Sequence, residues 1–461
     1  MKTSASDSPV RRWTVMVIVS FAMMTGYVFW DIVSPLSTTL KAPLGEGGMA
    51  WTAAEYGFYA GSYSIFNIFL LMLFFGGIIL DKFGIRFTGI LATGMMLGGA
   101  AVNWLALSRI VPTTYVEMPF TFFGLIPEHL KTQVLVSALG FGLFGVGCDI
   151  TGITVSKVIT KWFTGHELAS AMGLQVAMAR LGTASAISLS PVIAKTYGIS
   201  ASLLVGALML GAGFLMFIVY TLMDKSVKSE GEKKDFSLTK NLSRLATNKG
   251  YWLIALLCVL FYTSIRPFLK FATDVLVNKY GIDPVTAGWI VSILPYGTIV
   301  LTPLFGSVYD RIGRGATLML VGCAIVLVCH VVLALPMANV TWFATVVMVL
   351  LGVAFSLVPS AMWPSVPKLV PLEQLGTAYS IIYFIQNIGL MLAPMYIGNI
   401  IDQYTSPDGH VDVTVPMSVF ALFALAATAV ATLLLYIDKR EDYGLERSNI
   451  ERKLNQFVSK E

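Results

Sequence analysis

Charge is scarce in this chain. Asp, Glu, Lys and Arg make up 12% of its 461 residues, against 56% hydrophobic residues, whereas soluble domains carry about 25% charged residues. An interior cannot absorb that excess, so an ordinary water-soluble fold is excluded. Histidine and cysteine are scarce too, four of each. Cys148, Cys258, Cys323 and Cys329 all fall in apolar runs without metal-site spacing and read as buried structural thiols. His129, His166, His330 and His410 are scattered. His166 and His410 are placed in loops, and His330 as a satisfied polar group inside an apolar span. With no nucleophile–base pattern, neither an enzyme nor a cofactor is expected. The first apolar run, preceded by Arg11 and Arg12, also lacks a small-residue cleavage site, so it reads as a retained membrane helix rather than a signal peptide.

What is present is a series of apolar runs of about 20 residues or more, each long enough to cross a bilayer. Twelve spans are predicted, near 13–38, 52–80, 86–108, 134–161, 167–195, 200–223, 249–279, 285–309, 315–336, 340–366, 373–402 and 414–437. Backbone polar groups in lipid must be satisfied within a segment, which makes these helices. The expectation is an all-α membrane protein of two pseudo-symmetric six-helix bundles. Its units are residues 1–223, a cytoplasmic linker at 224–248, a second bundle at 249–438 and a cytoplasmic tail at 439–461.

The net charge of +5 is no nucleic-acid signal, because the basic residues alternate with the predicted topology. If the N-terminus is inside, 23 Lys and Arg fall in or beside cytoplasmic segments and five in outer loops. That asymmetry puts both termini in the cytoplasm. The polar stretch after residue 223 reads as a solvated connector between six spans and six.

The halves repeat. GIILDKFGIR (77–86) follows the pattern G-x-x-x-D-x-x-G-x-R, and GSVYDRIGR (306–314) reproduces most of it. SAMGLQVAMARLG (170–182) is echoed by TAYSIIYFIQNIG (377–389), 207 residues on. Parallel repeats of this kind surround a central site in carriers, which favours a transporter over a receptor, sensor or membrane enzyme. The paired G-x-x-x-D-x-x-G loops resemble the signature of the major facilitator superfamily. In them Asp81, Arg86, Asp310 and Arg314 are placed to cap or bridge helices in one of two gate states.

A finer resemblance rests on YVFWDIVSPL (27–36), FGIR (83–86), KWFTGHELASAMGLQVAMARLG (161–182), SLVPSAMWPSV (356–366) and QLGTAYSIIYFIQNIGL (374–390). These segments resemble the lysosomal dipeptide uniporter group of that superfamily. The resemblance implies dipeptide movement by alternating access without an ion gradient. It also implies that Asp149 holds the peptide amine, that Arg180 holds its carboxylate, and that Asp31 matches an aspartate of the first helix. The family acid at Asp149 is a glutamate, one methylene longer. RPFLKFATD (266–274) carries charges where the animal members are mainly apolar. Those members depend on a lumenal glycoprotein; the sequence here assigns no accessory subunit. MMTGYVFWDIV (23–33) lacks the E-x-x-E-R pattern of proton-coupled peptide transporters.

The residues themselves point to the same centre. Ionisable groups at membrane depth cost about 2.5–3.5 kcal/mol each and are functional candidates. Arg180 lies about 20 Å and Asp149 about 18 Å from the inner ends of their spans. Small residues surround both. They read either as a clamp for a zwitterion, with the guanidinium as a bidentate fork, or as a salt bridge locking two helices. Asp31, about 27 Å in, reads as an outer-gate group or a proton site. Arg266, Lys270 and Asp274 are expected at a solvated outer rim, with a Lys270–Asp274 pair at i,i+4 and a helix break at Pro267. Asn387 stands at the repeat position of Arg180 and Ser356 at that of Asp149. Tyr63, Asn67, Gln175, Trp363, Tyr383, Gln386, Asn387 and Arg266 complete the candidate lining. Candidate partners are a small zwitterion, above all a dipeptide, and the lipid bilayer. The second reading is a proton-driven carrier of organic anions or sugar acids. A bacterial inner membrane is the expected location.

Overall fold

Helices dominate the computed structural model, because backbone facing lipid has no water to bond to. The structure describes residues 8–70, 72–108, 110–163, 167–224, 247–335, 340–371, 375–407 and 411–448. The first half comprises α1 (Pro9–Asp31), α2 (Ser37–Lys41), α3 (Ala53–Ser62), α4 (Ile65–Phe69), α5 (Met72–Leu107), α6 (Thr132–Phe163), α7 (Leu168–Tyr197) and α8 (Ile199–Asp224). The second comprises α9 (Lys249–Tyr280), α10 (Pro284–Ile312), α11 (Gly315–Ala334), α12 (Thr341–Leu369), α13 (Leu375–Gln403) and α14 (Thr414–Glu441). Among the described residues, eleven helical stretches are long and apolar enough to cross a membrane. The twelfth crossing is the second span, which α3, α4 and the start of α5 build in pieces. Apart from its two ends, the expected linker at 224–248 lies outside the described residues, as do residues 449–461.

Three local expectations need correction. The second span is not one helix: it turns at Tyr63 and Ser64. Serine side chains there bond elsewhere than along the ladder. Ser62 Oγ donates to the Tyr59 carbonyl at 2.7 Å, and Ser64 Oγ donates to Asn387 Oδ1 at 2.7 Å, which favours a turn over a continuous helix. The first span stops at Asp31, and Pro35 sits in a single 3-10 turn (Ser34–Leu36) before α2. Pro267, by contrast, does not break α9, which runs unbroken past it. The connection between α5 and α6 also holds a small hairpin, β1 (Tyr115–Glu117) antiparallel to β2 (His129–Lys131).

Ends are set by local chemistry. Thr52 and Glu55 form a reciprocal capping box on α3, Asn248 caps α9, and Asp283 caps α10 ahead of Pro284. Each such cap is worth about 1 kcal/mol. The second-to-third span turn falls at Gly84, whose φ of 79° suits glycine.

The two halves meet toward one face, here called distal, opposite the proximal face where α1 begins and α14 ends. Glycines make the closest approach. A Cβ on Gly57 would stand 2.3 Å from the Pro394 carbonyl oxygen, and one on Gly398 2.3 Å from that of Ala53, so α3 and α13 touch backbone to backbone. The Asp402 carboxylate of α13 accepts the Ala53 and Ala54 N–H groups, both at 2.7 Å, capping a helix of the other half. Lys41 and Thr38 of α2 bond Asp274 of α9, and Asn399 donates to the Leu125 carbonyl. α7 meets α10 where Gly288 lies against the Ile187 carbonyl. At the proximal face, Arg86 and Lys161 converge on Asp224, Arg12 pairs with Glu167, and Lys368 donates to the Gly444 and Arg447 carbonyls. Each of those bonds stays within one half.

Candidate functional site

Glycines on α6 let the second span approach its middle. A Cβ on Gly145 would stand 2.2 Å from the Tyr63 carbonyl oxygen, and that proximity delivers Tyr63 and Asn67 to Asp149. Tyr63 Oη donates to Asp149 Oδ1 at 2.7 Å and Asn67 Nδ2 to Oδ2 at 2.6 Å. Each carboxylate oxygen thus holds one neutral donor and keeps lone pairs for another. Gly182, whose added Cβ would meet the Met24 carbonyl at 2.5 Å, brings α7 against α1 and fixes the level of Arg180. The Arg180 guanidinium lies over the Phe355 ring of α12 at 4.6 Å, a cation–π contact. Among the described residues no carboxylate is within ion-pair distance of Arg180, and no cation is within that distance of Asp149. The alternative of a locking salt bridge between them is therefore absent from this arrangement.

The seventh-span charges correct the sequence expectation. They are buried in the seam between the halves, not spread on a wet rim, with Arg266 and Lys270 each 9% and Asp274 2% exposed. Lys270 does not pair with Asp274. Its ammonium donates to Asp31 Oδ1 at 2.8 Å, to the Trp30 carbonyl at 2.7 Å and to Ser34 Oγ at 3.0 Å. Asp274 serves Lys41 instead. The reason is the distal closure, which removes water from these helix ends, so that each charge must find an opposite partner on the facing half. Arg266 reaches the same Asp31 only at 3.9 Å. It lies over Trp30 at 4.9 Å and Phe355 at 5.4 Å.

Trp30 stacks on Tyr63 with centroids 4.4 Å apart and planes 2° from parallel. A continuous path therefore runs Asp149, Tyr63, Trp30, Arg266, Phe355, Arg180. It crosses from one half to the other and back around the central space. A small cavity opens on it, lined by Trp30, Asp31, Tyr63, Arg266, Lys270 and Pro394. The second half adds an aromatic wall. Tyr262 contacts Phe355 and Trp363, and Trp363 stacks on Tyr383 at 5.0 Å. Trp363 Nε1 donates to Tyr262 Oη at 3.2 Å.

The remaining candidates scatter around this core. Gln175 Nε2 donates to Ser156 Oγ at 3.3 Å, while its buried Oε1 has no partner among the described residues. Gln386 Oε1 faces the Cys258 thiol. Asn387, the repeat counterpart of Arg180, accepts from Ser64 and donates to the Tyr383 carbonyl, tying the halves together rather than facing the space alone. Of the loop residues, Arg86 binds the Asp224 side chain and carbonyl. Arg314 is exposed, with a left-handed φ of 57°, and its N–H donates to the Glu446 carbonyl. Asp310 is exposed, and the Asp81 side chain lies outside the described residues. His330 Nε2 meets the Ser264 carbonyl at 2.9 Å.

Trp30, Phe355 and Tyr262 were not candidates in the sequence, and Lys270 was placed on the rim. Their signals were adjacency: Trp30 precedes Asp31, and Phe355 precedes Ser356, the repeat counterpart of Asp149. Chemically, the arrangement offers an acid with spare lone pairs, a guanidinium without a carboxylate, and flat aromatic surface between them.

The family model described as Major Facilitator Superfamily matches residues 15–273 and 266–457. The chain is 27% identical over 450 residues to the lysosomal dipeptide transporter MFSD1 of Homo sapiens, covering 94% of this chain and 87% of that one. Against MFSD1 of Danio rerio it is 28% identical over 457 residues, covering 95% and 90%. Among solved structures, a mutant of the nucleoside transporter NupG superposes with a TM-score of 0.71 at 15% identity, over 91% of this chain and 99% of that one. At that identity the likeness speaks for the fold. Twelve crossings in two halves, paired repeat loops and a match over nearly the whole chain place it in one family: the protein is a multi-pass membrane transporter of the Major Facilitator Superfamily.

Proposed function

We propose that the protein carries small zwitterions, dipeptides above all, by alternating access and without ion coupling. The observation that carries this reading is the separation of Asp149 and Arg180. They come from adjacent spans at matched depth, each held by neutral or aromatic neighbours and neither neutralising the other. An amine would complete the donors around the carboxylate, and a carboxylate would take the fork of the arginine in bidentate fashion. The relationship to dipeptide transporters at 27–28% identity supports the same cargo. The bias of basic residues supports a cytoplasmic proximal face, so that the distal closure describes a carrier facing inward. We place it in a bacterial inner membrane, with Asp81, Arg86, Asp310 and Arg314 as gate-loop residues and 1–223, 224–248, 249–438 and 439–461 as its working units.

Uptake of labelled dipeptides into proteoliposomes tests this. Dipeptides should enter down their own gradient, unaffected by a protonophore, and Arg180→Ala should reduce uptake to background. Failure of every dipeptide to enter would overturn the reading. Uptake that collapses with the protonophore would favour the second reading, a proton-driven carrier of organic anions, for which the surplus of cations around the central space speaks.

A further inference from the structure

Among the described residues, the central space holds three cations, Arg180, Arg266 and Lys270, and two acids, Asp31 and Asp149. Lys270 takes Asp31 at hydrogen-bond distance. Arg266 stands 3.9 Å from that same carboxylate, and among the described residues its guanidinium donates no hydrogen bond. It is nevertheless nine-tenths buried and lines the cavity. A buried guanidinium in that condition is costly unless something else supplies an acceptor. A neutral zwitterion clamped between Asp149 and Arg180 brings one charge of each sign and leaves the surplus untouched.

We propose that Arg266 is a subsite for a second carboxylate, and that the preferred cargo is an acidic dipeptide rather than a neutral one. This rests on the dipeptide reading above and narrows it. The geometry fits a side-chain acid. Arg180 and Arg266 lie over the same ring, Phe355, at 4.6 and 5.4 Å, so one compact ligand can meet both. Arg266 is also held against Trp30 at 4.9 Å, and Trp30 stacks on the Tyr63 that donates to Asp149. The amine end and the second carboxylate are therefore set by one ring stack. Contact with two aromatic rings holds the guanidinium in place in advance, and its fork suits a planar, bidentate acceptor as a lysine would not. With the second carboxylate bound, the space holds as many negative as positive charges.

The test compares alanyl-glutamate with alanyl-glutamine, alike in shape and different in one charge. Each competes for uptake of a labelled dipeptide by the purified full chain in proteoliposomes. Wild type should favour the acidic peptide by about tenfold, the scale of one charge-assisted hydrogen-bonded pair. Arg266→Gln should bring that ratio to about one, and Arg266→Lys should keep part of it. Equal competition by the two peptides in wild type would overturn the proposal and leave the dipeptide reading standing. So would a ratio that survives Arg266→Gln. Competition by neither peptide, with no dipeptide uptake at all, would overturn the parent reading and the proposal with it. If Arg266→Gln does not fold, the wild-type ratio and the Arg266→Lys variant still decide.

Discussion

The two faces of this molecule are held together by different classes of bond. At the distal face, charges and helix ends of one half are satisfied by the other: Lys270 by Asp31, Asp274 by Lys41, and the start of α3 by Asp402. At the proximal face the described ion pairs stay inside a half. Asp224 gathers Arg86, Lys161 and the Trp162 indole, while its counterpart at the end of α14, Asp438, accepts the Leu445 and Glu446 N–H groups. Bonds that must break during a cycle belong between bodies, and bonds that keep each body rigid belong within them. The difference tells which face is closed here and which contacts the proposed alternating-access cycle would have to exchange.

The sharpest way to break this comparison is to prop the distal face open. Gly57→Leu puts a side chain where even a Cβ would collide with the Pro394 carbonyl. Uptake should fall to background, while thiol reagents in water should gain access to an Ala60→Cys marker in the cavity wall. A folded Gly57→Leu protein that still transports would refute the close approach of α3 and α13.

Next comes the charge pair itself. Asp31→Asn leaves the Lys270 ammonium buried without its acid and should cost about 3 kcal/mol of stability, read as a lowered melting temperature in detergent. Adding Lys270→Met should return most of that loss. If the double variant is no more stable than the single one, the pair is not what orders the seam.

Arg86→Ala probes the other face. Arg86 is 42% exposed along its side chain, so its removal should cost no more than about 1 kcal/mol. Distal accessibility should not change, since Asp224 keeps Lys161. A large change in distal labelling would mean that the faces are coupled through this loop.

The smallest effect is a titration. Hydrogen bonds from the Thr286 hydroxyl and N–H, in the first turn of α10, hold the carboxyl of Asp283, just ahead of that helix, below its usual range. A depressed carboxylate adds stability above its unfolded pKa and loses it as pH falls through the folded value. Wild type and Asp283→Ala should therefore differ near neutrality by about 0.5 kcal/mol, the low end of the range for a cap, and converge in acid. A gap that persists in acid would contradict the capping role.

Much of the fold was legible because lipid leaves a chain few choices. Long apolar runs, the repeated Asp-containing loops and the Lys/Arg bias all follow from local composition. Asp149 and Arg180 were visible for the same reason, as ions at a depth where ions are costly. What was hidden depends on contact between distant segments. Nothing local says that Lys270 turns to Asp31, 239 residues away, rather than to Asp274 one turn on. Nor does local pattern reveal that Ser64, in the turn between α3 and α4, reaches Asn387, 323 residues away. Pro267 misled in the opposite direction, because packing against neighbouring helices tolerates a proline that would disrupt a helix in water.

The glycine seam between α3 and α13 has a thermodynamic consequence. At Gly57 and Gly398 backbone rests on backbone, so parting the two helices bares peptide groups there, beside the Met395 side chain packed at Gly61. Water can wet such a surface at little cost, whereas a leucine-lined joint would resist hydration. On the proposed cycle, opening the distal side would therefore wet peptide groups at the glycines as the polar latches are released.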